Sequence, residues 1–129
     1  MRRDYADYAR AFERCEIDAG TFRHIDHIGV AHDLLGRYDF LDASMIYCKC
    51  INRIATEAGA ARKFNTTITL AFLSLIAERL EISQAETFEE FISDNQDLLT
   101  RDVLTRRYSS ERLGSDLART AFLLPDRAA

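Results

Sequence analysis

The chain has 129 residues, of which 47% are hydrophobic, enough apolar material for one core, and a single domain over 1–129 is the expectation. Its 29% charged fraction sums to a net charge of -4, without the surplus of Lys and Arg that nucleic-acid and anionic-membrane binders use to neutralise phosphates. No apolar run approaches the roughly 20 residues that span a bilayer, and charge at Arg2, Arg3, Asp4, Asp7 and Arg10 breaks up any secretory leader, so the expected location is the cytoplasm.

One proline, Pro125, stands near the end, which leaves long stretches free for helix. Tyr5, Tyr8, Ala9 and Phe12, spaced by threes and fours, predict a first helix over 4–17, closed by the Asp18-Ala19-Gly20 turn. Thr21 is a candidate cap for a second helix to Leu35, with Gly36 as its left-handed terminator. Asp39 caps a third, whose buried face is expected at Leu41, Met45, Cys48 and Ala55 and whose end is Gly59. A fourth, over 65–80, carries Ile68, Phe72, Leu75 and Ile76 and is the most apolar segment, so it is expected at the centre. Thr87-Phe88-Glu89-Glu90 has the form of a capping box and opens a short fifth helix to about Asp94.

Short apolar pieces over 96–122 predict brief helices wrapping the bundle, followed by a loose tail over 125–129. The fold class is therefore all-α, a single-domain bundle of about five or six helices. The hairpin over 24–59, with Leu35-Gly36-Arg37-Tyr38 at its turn, has the length of one tetratricopeptide unit, but a lone copy cannot stack into a solenoid. Cys15, Cys48 and Cys50 offer no C-x-x-C spacing. On a helix the last two point about 200° apart, so all three read as small core-filling residues. Phe88, Phe91 and Tyr108 read as core aromatics, and the basic run 101–107 as a solvated face.

The second helix carries the informative residues. A helical projection puts His24 and His27 on the same stripe as Ile28, Ala31 and Leu35, and leaves His32 at its margin. On the fourth helix Asn65 and Thr69 begin the stripe of Phe72 and Ile76. Short connections make successive helices antiparallel, so the second and fourth start at the same end. His24, His27, Asn65 and Thr69 are expected to gather there, joined by Arg53 and Glu57 from the end of the third helix.

Around these residues the chain resembles a family of small bacterial all-helical proteins. The resemblance rests on Phe22-Arg23-His24-Ile25-Asp26-His27, on Lys63-Phe64-Asn65-Thr66-Thr67-Ile68-Thr69, and on the segment from Arg107-Tyr108 to Pro125-Asp126. That family pairs F-x-H-x-x-H with Y-H-x-T-x-T. The resemblance implies that His24 and His27 match its histidines and that Thr67 and Thr69 match its threonines. Asn65 stands where the family has histidine, which implies weaker metal binding in this chain.

The reading that follows is a small-ligand or partner-binding domain using the His24, His27, Asn65, Thr69, Arg53 and Glu57 end. A divalent metal on His24 and His27 is the less favoured alternative, because two histidines need a third ligand, Glu57 or a residue that the sequence does not place. It carries with it the prospect of a metal-dependent enzyme. A helical protein-interaction module, including a homo-oligomer, is the third reading. The scattered aspartates have no calcium-loop spacing, and no glycine-rich phosphate cradle exists.

Overall fold

Side-chain caps set most of the helix starts. In the computed structural model, which describes residues 3–100 and 102–127, the Asp4 carboxylate accepts from the Ala6 amide at 3.0 Å and opens α1, Tyr5–Glu13. This helix stops short of the predicted residue 17. Cys15 turns left-handed at φ 57°, its amide bonds the Phe12 carbonyl at 2.9 Å and the Glu16 amide bonds that of Ala11 at 2.9 Å, the double closure of a Schellman motif.

The expected cap Thr21 lies instead in a 3-10 turn, Ala19–Thr21, and α2 runs His24–Arg37. Its start is closed by Asp26, whose Oδ2 accepts from the Arg23 amide at 2.9 Å. Gly36 lies inside α2 and terminates nothing, because Asp39 already caps α3, Phe40–Glu57, by accepting from the Asp42 amide at 2.8 Å. The left-handed glycine is Gly59, φ 72°, which closes α3 as predicted.

α3 presents the opposite face to the core from the one expected. Ala43, Ser44, Tyr47 and Cys50 are buried, while Leu41 and Met45 are 76% and 58% exposed. Both stripes have helical spacing, so periodicity alone did not separate them.

Asn65 caps α4, Thr66–Ile82, by accepting from the Ile68 amide at 2.9 Å. This helix packs against α2, α3 and the C-terminal segment, the central place its apolarity predicted, and buries Thr67, Phe72, Leu73 and Ile76. Thr87 opens α5, Phe88–Asp94, through a 3.1 Å bond from the Glu90 amide, and Glu90 reaches back to the Glu86 amide rather than to that of the cap.

Beyond α5 come 3-10 turns at Gln96–Leu99 and Val103–Arg106, then α6, Ser110–Leu113, and α7, Asp116–Thr120. The described residues thus form an all-α helical bundle, with seven α-helices rather than five or six because the C-terminal wrap breaks into short turns. No helix among them is long and apolar enough to cross a membrane.

The start of α4 ties that wrap down. Asn65 Nδ2 donates to the Leu113 carbonyl at 2.7 Å, Thr66 Oγ1 to that of Arg119 at 2.8 Å, and the buried Thr67 hydroxyl donates to Ala121 at 2.6 Å while accepting from the Leu123 amide at 3.1 Å. Nor is residue 126 loose, since its carboxylate takes the Ser109 amide and hydroxyl, each at 2.7 Å, and the Arg127 amide bonds the Arg107 carbonyl at 3.0 Å. The predicted tail residues 128–129 and Arg101 lie outside the described residues.

His32 packs its ring 5.3 Å from Phe88 and 5.2 Å from Phe91. Burial lowers its pKa from the ordinary 6.5, against the opposing charges of Asp33 and Glu89. The fold therefore favours the neutral ring. Its stabilising contribution is full above the ordinary histidine pKa and is lost as pH falls from there through the depressed folded value. Urea unfolding of the wild type is expected to lose midpoint more steeply between about pH 7 and 5 than unfolding of His32→Leu. Equal slopes would contradict this account.

Candidate functional site

α2 and α4 do begin at the same end, and between their first turns, the middle of α3 and the Val103–Arg106 turn lies a cavity of about 380 Å³. Phe22, Ile51, Ile68, Phe72, Val103 and Leu104 give it apolar walls. Arg23, His24, His27, Tyr47, Thr69 and Thr100 supply its polar groups. Its size is at the low end of the roughly 300–1,000 Å³ of small-molecule pockets, and its mixture of apolar wall and few polar groups is theirs as well.

The first turn of α2 aims both imidazoles inward. His24 Nε2 is 2.9 Å from the Leu98 carbonyl. A carbonyl only accepts, so Nε2 carries the proton and the neutral ring keeps its lone pair on Nδ1. The same ring lies 5.5 Å from that of Phe72 and 6.3 Å from that of His27. His27 stands edge-on to Phe22 at 4.5 Å, and its Nδ1 is 3.3 Å from the Tyr47 hydroxyl, which is also 3.3 Å from the His27 carbonyl. Burial holds the Tyr47 phenol protonated, well above the ordinary tyrosine pKa, so this hydroxyl always has a proton to donate.

Of the six residues predicted to converge, His24, His27 and Thr69 line the cavity. Asn65 does not, because its amide is spent as the α4 cap and on the Leu113 carbonyl. Thr69 donates to the Asn65 carbonyl at 2.7 Å, which sets its side chain against the helix. Arg53 and Glu57 pair with each other at 3.0 Å and are 63% and 56% exposed at the side chain, away from the cavity. The reason is angular: Arg53 follows Ile51 by two residues, roughly 200° round α3. Without Glu57 the histidine pair lacks its anticipated third ligand, and among the described residues no group of three or more His, Cys, Asp or Glu could hold a metal ion.

Two contributors escaped the sequence reading. Tyr47 was hidden by the choice of the wrong α3 stripe, although Ala43, Tyr47, Cys50 and Ile54 have the same helical spacing as the stripe preferred. Asp26 lies between the histidines in sequence but about 200° round the helix from His24. It is 2% exposed, and its Oδ1 accepts from the Tyr5 hydroxyl at 2.7 Å and from Arg3 Nε at 3.1 Å. It anchors the first turn of α2 to α1 and so positions both imidazoles. The signal that could have found it is the acidic residue at the third helical position, a box partner for the amide of residue 23.

The motif residues therefore divide between two tasks, His24 and His27 facing the cavity and Thr67 securing the C-terminal wrap. No family model, no curated protein and no solved structure matches this chain.

Proposed function

We propose that this domain binds a small molecule with an apolar body and one hydrogen-bonding head. The observation that carries the reading is the cavity itself, apolar along Phe22, Ile51, Ile68 and Phe72 and closed by two imidazoles and a buried phenol. Among its described lining residues there is no carboxylate, cysteine or serine, which favours binding over carboxylate-assisted or Ser/Cys-nucleophile catalysis. Three free thiols agree with a reducing compartment, and we place the domain in the cytoplasm.

Amide NMR of isotope-labelled protein titrated with indole, benzoate and benzamide tests the reading. Shifts are expected to cluster at His24, His27, Tyr47, Thr69 and Phe72, and His27→Ala should weaken the responding probe by about tenfold. Silence at those amides with all three probes, or shifts gathered on exposed Leu41 and Met45, would overturn it, the second outcome in favour of an interaction module.

A further inference from the structure

We propose that Cys15 and Cys50 are a reversible thiol–disulfide pair, oxidised by hydroperoxides and returned by thiol reductants. Their sulfurs lie 3.7 Å apart, joining the end of α1 to the middle of α3 across 35 positions of sequence. A disulfide needs about 2.05 Å, so oxidation has to bring the two sulfurs closer than their present contact.

A second observation is independent of that distance. Cys15 occupies the left-handed residue of the closure after α1, and at the end of α3 the same closure, with Gly59 bonded to Thr56 and Ala60 to Ala55, is occupied by glycine. A residue with a β-carbon is disfavoured there. The chain nevertheless carries a cysteine at this position, with its sulfur facing a second thiol.

The two thiols are also unequal in access. Cys15 is half-buried and open to a small oxidant, whereas Cys50 is 6% exposed. Burial, and then the neighbouring Cys15, push the Cys50 thiol up. Cys48 points away along α3 and is pushed up to about 11 by burial.

The chemistry then runs in two steps. The Cys15 thiolate attacks the peroxide, the O–O bond breaks, and the leaving oxygen takes a proton to become alcohol or water, leaving a Cys15 sulfenic acid. The Cys50 sulfur attacks that sulfur, the S–O bond breaks, and hydroxide leaves with the Cys50 proton as water. The pair has lost two electrons and the peroxide has gained them. A thiol reductant reverses this: one thiolate attacks the accessible Cys15 sulfur and releases Cys50, and a second thiol attacks the mixed disulfide, freeing Cys15 and leaving as the reductant's own disulfide.

The test is treatment of the reduced full chain with hydrogen peroxide, followed by thiol titration and peptide mapping. Titratable thiols are expected to fall from three to one, with Cys15 joined to Cys50, and a thiol reductant should restore all three. Cys48→Ser should form the same bridge, and Cys50→Ser should accumulate a dimedone-trappable sulfenic acid at Cys15. Persistence of all three thiols in the wild type after peroxide treatment, a bridge through Cys48, or only links between chains would overturn the proposal.

Discussion

Replacing Gly29 with alanine is expected to destabilise the protein by about 2–3 kcal/mol in urea unfolding, although alanine is the better helix former by about 1 kcal/mol. Gly29 is inside α2, and a β-carbon there falls within the van der Waals envelope of the Tyr5 ring. That ring cannot step aside. Its hydroxyl is bonded to Asp26 at 2.7 Å and its edge meets Phe88 at a centroid distance of 4.9 Å. The whole of α1 must move outward, loosening the packing of Ala9 and Phe12, both fully buried. In a Tyr5→Ala background the clash is gone, and the same substitution should become neutral or stabilising. A neutral Gly29→Ala in the wild type would show that α1 docks less closely than described.

The second large effect is expected at Asp26. Asp26→Ala should cost about 3 kcal/mol, because the buried Tyr5 hydroxyl loses its acceptor and the Arg23 amide loses its cap at once. Arg3→Ala should cost less than Asp26→Ala, since the Arg3 side chain is 35% exposed and Asp26 keeps the Tyr5 hydroxyl and the Arg23 amide as donors. The contrast separates the buried hydrogen-bond anchor from its half-exposed ion-pair partner, and equal losses would refute the distinction. Asp26→Ala should also shift the amides of His24 and His27, because the carboxylate fixes the turn from which both imidazoles project.

These two effects bear on different parts of the same device. Gly29 lets α1 approach α2 closely, and Asp26 locks the register of that approach. Arg37 repeats the linkage at the other end of α2, bonded to Asp33 at 2.7 Å and paired with Glu13 of α1, whose other oxygen accepts from the Tyr38 hydroxyl at 3.0 Å. The cavity histidines thus stand on a helix clamped along its length, which is what a preformed pocket requires.

What could be read locally was legible in the sequence. The caps Asp39 and Thr87 each answer an amide three residues away, so sequence spacing alone identified them, whereas Asn65, which caps α4 in the same way, was expected in the pocket. The common start of α2 and α4 followed from short connections, and with it the meeting of His24, His27 and Thr69. What required the tertiary structure were choices between locally equivalent options. α3 had two stripes of the same period, and only the packing of Phe12 on Tyr47 selects the inner one, moving Tyr47 into the site and leaving Arg53 and Glu57 in solvent. Gly36 and Gly59 looked alike as terminators, but only Gly59 turns left-handed. The meeting of Cys15 with Cys50, and of Asp26 with Tyr5, joins residues far apart in sequence, and no local pattern encodes a distance between separate helices.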